Sequence, residues 1–244
     1  MIRTPLRART LALMLSTAFA AAAATQAQAE TAAAPANETT ANVTAGDTTG
    51  DTAAQAAPST FARAIAAARA GDTATAAALF LPLARSGDAV AQFNLALLYY
   101  DGRGLPQNHA EALYWAWRAR LAGRTEALAL ITRMADAATP DLRSAIATRI
   151  EADLHPRVTA GEGRAMLELS FVLTDILPEP DLTGAYVWQA LSAAFETPNA
   201  IRARDATFAR LDPKDRPAAQ QRALETLKSL CDTGLGDPVC TALF

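Results

Sequence analysis

Two cysteines, two histidines and a spaced pair of aspartates are the side chains whose placement in this 244-residue chain invites a chemical reading. Cys231 and Cys240 bracket Asp-Thr-Gly-Leu-Gly-Asp-Pro-Val, a turn containing glycine and proline. In an oxidising compartment such a pair is most simply a disulfide, because a metal site needs more ligands and a redox pair normally sits closer together. His109 and His155 have no Ser or Cys at a matching spacing, so neither completes a nucleophile–base pair. Asp101 and Asp175 invite comparison with the paired carboxylates of a glycosidase, yet solvated carboxylates at helix ends are far commoner. Trp115, Trp188, Tyr99 and Tyr114 have the chemistry to stack on sugars, but at these spacings the tryptophans are core residues first. Gly102 and Gly104 lack the flanking strand and the rest of a phosphate-cradling motif, and read as turn glycines between helices. No catalytic residue, cofactor or metal is therefore assigned, and the protein reads as a non-enzyme.

The elements that position these residues are helices. Ala112, Trp115, Ala116 and Ala119 fall at i, i+3, i+4 and i+7 and so share one helical face. Nothing alternates with period two over a useful length, which predicts an all-α fold with about ten helices. Thr139-Pro140, Asp212-Pro213 and Thr197-Pro198 read as helix starts, each with a side-chain acceptor at the cap and proline at the first helical position. A weaker copy follows the best-patterned stretch, residues 84–123. Trp188 lies 73 residues after Trp115, and Ala185 stands at the same offset from Ala112. Upstream of the turn the offset is 74, matching Ala91 to Ala165, Leu95 to Leu169, Leu97 to Phe171 and Asp101 to Asp175. One residue is thus missing from the second copy's turn, where Ile176, Leu177, Pro178 and Pro180 replace the glycines and demand a different backbone path. The period is about twice that of a two-helix repeat, so the duplicated module holds four helices.

Ala91-Gln92, Leu95, Tyr99, Gly102, Gly104, Leu105-Pro106, Ala112, Trp115, Ala119 and Gly123 resemble the Sel-one-like repeat, a relative of the tetratricopeptide repeat. The match is specific over residues 84–123, looser over 59–83 and degenerate over 124–230. It implies a right-handed α/α solenoid with a lead-in repeat (59–87), a first module (88–155), a second module (162–230) and a disulfide-capped tail (231–244). The position of His109 is often filled in that family by an aromatic packing residue. In such repeats the first helix of each pair lines a concave face. By register that face takes Val90, Phe93, Leu97, Tyr100 and Asp101 from the first copy, and Arg164, Leu167, Phe171, Thr174 and Asp175 from the second. This mixture of apolar and acidic side chains suits an extended peptide or an amphipathic helix, unless neighbouring helices already cover it.

The beginning of the chain carries a compartment signal. Arg3, Arg7 and Arg9 precede an apolar run from Leu11 to Ala24, and Ala27-Gln28-Ala29 forms a small-residue cleavage site, so residues 1–29 read as a secretory signal peptide cut after Ala29. The apolar run is too short for a membrane span. Its Ala- and Arg-rich style suggests a bacterial periplasm. Residues 30–58 form an Ala- and Thr-rich linker whose composition cannot offset its ordering entropy. Loss of the three signal arginines takes the formal charge from −3 to −6, which is no footprint for nucleic acid or for anionic lipid. The leading expectation is an exported scaffold that binds a partner protein or peptide and acts on an envelope sensor or assembly enzyme. The alternatives are a hydrolase of cell-wall or exported polysaccharide, or its accessory subunit, and a purely structural self-associating repeat.

Overall fold

The computed structural model describes residues 59–235 and 238–243. The expected signal peptide (1–29) and linker (30–58) lie outside the described residues. Within them every regular element is helical and no strand occurs. There are eleven α-helices, one more than expected: α1 (Thr60–Arg69), α2 (Thr73–Arg85), α3 (Ala89–Asp101), α4 (His109–Leu121), α5 (Ala127–Arg133), α6 (Pro140–Thr159), α7 (Gly163–Phe171), α8 (Leu182–Ala194), α9 (Ala200–Arg210), α10 (Arg216–Cys231) and α11 (Pro238–Leu243).

Most starts are written in the cap residue. Ser59, Asp72, Asp88, Asn108, Thr139 and Asp181 each accept a hydrogen bond from a backbone N–H in the first turn, satisfying a donor the helix itself leaves unpaired. Thr139-Pro140 starts α6 as the sequence predicts. The other two expected starts are corrected. Asp212-Pro213 forms a turn, closed by Asp215 N–H donating to the Asp212 carbonyl at 2.9 Å, and α10 begins three residues later. Thr197-Pro198 likewise precedes a turn through Asn199, at φ 68°, before α9 opens at Ala200. A cap–proline pair also fits the corner of a turn, so the local signal alone does not separate the two.

Successive helices pack on each other from α1 to α5 and again from α6 to α9. The non-sequential contacts repeat: α4 packs on α6, and α8 packs on α10. Helices α4 and α8 are both 13 residues long and begin 73 positions apart, as do α5 and α9. One core spans the whole set, from Ala64 to Leu230. Ala112, Trp115, Ala116 and Ala119 are all buried, as their shared face requires. Fully buried alanines let helix backbones approach closely, and Phe80, Leu95, Leu113 and Ile150 fill the remaining volume.

The copies differ at the turn. Gly102, at φ 66°, ends α3 in the left-handed conformation, with Gly104 at φ 74° two residues on. In the second copy α7 widens into a π-turn over Val172–Ile176 and the chain reaches α8 by a shorter loop. The helical segment gains one residue and the loop loses two, which together produce the offset change from 74 to 73. The first module's expected boundary at residue 155 falls inside α6, which continues through Pro156 to Thr159.

Candidate functional site

A ladder of polar pairs joins α4 to α6. Glu111, Tyr114 and Arg118 lie at i, i+3 and i+7 on α4 and meet Arg149 and Asp153, four residues apart on α6. Arg149 holds Glu111 at 2.5 Å and lays its guanidinium over the Tyr114 ring, 3.6 Å from the centroid. The Tyr114 hydroxyl donates to Asp153, and Arg118 grips the same carboxylate at 2.6 Å. Burial, and then the hydrogen bond to Asp153, push the Tyr114 phenol up to about 12. Further along, Glu168 is nearly buried and receives Arg157 at 3.3 Å and Arg164 at 3.0 Å. Arg164 also donates to the Leu121 carbonyl at 3.0 Å, tying the start of α7 to the end of α4.

This ladder forms one wall of a concavity of about 530 Å3 that also takes in Arg85, Gln92 and Trp115. Two of its lining residues carry a fully buried polar atom without a hydrogen-bond partner, the Trp115 indole Nε1 and the Gln92 side-chain Oε1. Gln92 is held in place by its other end, which donates to the Ala84 carbonyl at 3.0 Å. A second concavity of about 380 Å3 shares Arg85, Tyr114, Trp115 and Asp153 with the first and extends it toward Tyr99 and Glu111. A third, of about 240 Å3, shares Arg164 and Glu168 and is walled by Trp117, Leu167 and Phe171.

The residues expected to line a concave face divide between the copies. Arg164, Leu167, Phe171 and Asp175 do meet in the third concavity, opposite Trp117 and Arg120 of α4, and Thr174 is part-buried beside it. Leu167 lines that concavity while being itself largely buried. Residues 165–170 of α7 are all buried, since α6 and α8 pack against this short helix. In the first copy Val90, Phe93, Leu97 and Tyr100 are part-buried and Asp101 is exposed. Arg124 lies 6.0 Å from the Phe93 ring centroid and Arg133 lies 5.7 Å from that of Tyr100, while His109 stacks on Tyr100 at 5.6 Å, so this face is largely clothed by its own chain. Asp101 shares none of these concavities with Asp175.

A fourth concavity, of about 520 Å3, brings Glu151 and His155 of α6 against Trp188 and Arg222. Burial raises the Glu151 carboxyl above its ordinary value. Cys231 and Cys240 form a disulfide, with Cα atoms 5.3 Å apart. Among the described residues no group of three or more His, Cys, Asp or Glu is arranged to hold a metal ion, and no helix is long and apolar enough to cross a membrane.

Sequence reasoning missed the Tyr114–Asp153–Arg118 cluster and the two unpartnered atoms. One signal was available: Arg149, Asp153 and Arg157 follow each other at four-residue spacing along one face of α6. No family model matches the chain, and no curated protein matches it.

Proposed function

We propose that this protein is an exported helical-repeat scaffold that binds a partner protein or peptide along the joined grooves of α4, α6 and α7. The observation that carries this reading is that three concavities share walls, Tyr114 and Asp153 lining both the first and the second, and Arg164 and Glu168 both the first and the third. The order of basic, apolar and small residues before position 30 supports export, and the matched helix order of the two copies supports a solenoid related to the Sel-one-like repeat. An envelope sensor or assembly enzyme is the kind of partner such a scaffold serves.

The reading is tested with a photo-activated cross-linking residue at Asn199, which lines the third groove, against the same residue at exposed Gln221 on α10. The expected outcome is a discrete adduct from Asn199 alone in living cells, lost when Phe171→Ala reshapes the groove without lowering the melting temperature by more than a few degrees. Equal adducts from both positions, or none, would count against a groove-binding scaffold.

One observation favours a hydrolase instead. Glu151 has the raised carboxyl that an acid catalyst needs, and His155 sits four residues along the same helix. Release of sugar or peptide from cell-wall material by the wild type, abolished by Glu151→Gln, would establish that alternative.

A further inference from the structure

We infer that the fourth concavity, walled by α6 and α10, binds a small carboxylate with an apolar body, its carboxylate held by Arg222 and its body lying against Trp188 and Leu173. This site shares no lining residue with the third groove, where the scaffold reading is tested, so the two stand or fall separately.

The two copies carry the same groove, and only the first fills it. Seven of the eight residues lining the second concavity have repeat equivalents lining the fourth, at offsets of 74 before the turn and 73 after it. In the first copy Glu111 reaches Arg149 at 2.5 Å, and Arg149 lies over the Tyr114 ring next to Trp115. In the second copy Gly184 stands for Glu111, Val187 for Tyr114, Leu173 for Tyr99 and Thr226 for Asp153, while Trp188 and Arg222 keep the places of Trp115 and Arg149. The filling is gone and the two groups beside it remain. Position 184 admits no side chain as packed, because an added Cβ would stand 2.4 Å from Asp181 Oδ2 and 3.1 Å from Leu173 Cδ1.

Arg149 shows what a guanidinium at this place holds, a carboxylate standing at position 111. Arg222 is exposed and makes no ion pair among the described residues, so a ligand carboxylate takes the role that Glu111 plays in the first copy. Glu151 and Asp181 also line the groove, and neither pairs with Arg222. Asp181 is engaged as the cap of α8, accepting from Gly184 N–H at 2.8 Å, and burial raises the Glu151 carboxyl, which eases its neutralisation beside an anion. His155, the remaining titratable group, adds no negative charge. The walls choose the body. Val158, Leu169, Leu173 and Leu230 line the groove with Trp188, which is part-buried where Trp115 is 4% exposed. A sugar would need donors there, yet Thr159, Thr226 and Thr233 give their hydroxyl protons to carbonyls three or four residues back in the chain. The volume of about 520 Å3 is that of an ordinary small-molecule site.

The test is isothermal titration calorimetry of the purified protein with phenylpropionate, hexanoate and their neutral amides. At least one carboxylate is expected to bind about tenfold tighter than its amide, about 1.4 kcal/mol, and the better of the two tells a ring from a chain. Arg222→Ala should erase that difference, and Arg222→Lys should keep part of it. Thr226→Asp, which restores the first copy's carboxylate one turn from Arg222, should weaken the carboxylate about tenfold. Trp188→Leu should do the same with unchanged helical content. Arg222 is exposed and makes no ion pair, so its variants decide the matter if Trp188→Leu fails to fold. Equal binding of carboxylate and amide, or indifference to Arg222→Ala, overturns the inference. So does the absence of saturable binding by either carboxylate up to about 1 mM. Equally tight binding of acetate would mark a simple anion site, of phenylphosphonate a site that does not select carboxylates, and of chitotriose a sugar site; each of these also overturns it.

Discussion

Glu196 holds at φ 54° the left-handed conformation that Gly123 holds at φ 101°, seventy-three residues earlier. The two residues end equivalent helices with the same hydrogen bonds. Arg124 N–H reaches back to the Ala119 carbonyl and Thr197 N–H to that of Ser192, while Gly123 and Glu196 donate to Arg120 and Ala193. This double bond pattern closes a helix end only if its central residue has positive φ. The second copy has kept the turn and lost the glycine that suits it.

Glu196→Gly is therefore expected to stabilise the protein by about 1 kcal/mol, the relief of left-handed strain exceeding the extra chain entropy of glycine. Gly123→Ala should cost about 1–2 kcal/mol, because an added Cβ would meet only Arg164 Nη2 at an ordinary 3.7 Å and the conformation alone objects. Denaturant melts of the two variants decide it; a Glu196→Gly protein less stable than its parent would contradict a shared turn.

Asp153 joins two helices through two donors, so removing it should cost more than removing either donor's contact alone. Asp153→Ala is expected to lose about 2–3 kcal/mol, since Arg118, with a side chain only 12% exposed, would lose its counter-charge. Tyr114→Phe should lose about 1–2 kcal/mol, and the double variant less than the sum. Because the Tyr114 phenol is pushed up to about 12, the stability it gives is full below the ordinary phenol range near 10 and disappears as pH rises through the folded value. Ultraviolet titration should show one late-ionising tyrosine that is missing from Tyr114→Phe.

The helices were legible because caps and apolar periodicity are local. Thr139, the Ala112–Ala119 face and the Cys231–Cys240 pair could all be read from neighbours in sequence. The groove was less legible, because it depends on which helices cover which faces. Leu167 and Phe93 occupy the first helices of their pairs, yet α6 and α8 bury the former while Arg124 covers the latter. The Tyr114–Asp153 bond spans 39 residues, and in sequence Tyr114 looks like a core aromatic and Asp153 like a solvated charge. The π-turn after Phe171 cannot be seen as an offset, since its extra residue is masked by the two lost from the following loop.

Glu151 supplies a pH test of opposite sign to an ordinary salt-bridged acid. Burial raises its carboxyl, so the folded state prefers the protonated form; the benefit is full below the unfolded value near 4 and is lost as pH rises through the folded value. Glu151→Gln should melt higher than wild type at pH 7, with the gap closing toward about pH 4. A gap that widens on acidification would mean that Glu151 is paired in solution.

The last helix depends on a covalent tie. Helix α11 is six residues long, too short to hold itself, and Leu235 lies against Gly161 at the end of α6, where even an added Cβ would crowd it. The Cys231–Cys240 bond closes a short loop across this segment, which in the chain-entropy model stabilises by roughly 2–3 kcal/mol. Cys231→Ser with Cys240→Ser should therefore lower the melting temperature by about 5–10 °C while leaving most of the helical circular dichroism intact. Hydrogen exchange should rise over residues 232–243 and at Gly161, because Leu235 is no longer pinned there. Thiol titration of the unfolded wild type should find no free thiol before reduction and two after. Two free thiols at the outset, or an unchanged melting temperature in the double variant, would show that α11 is held by its packing alone.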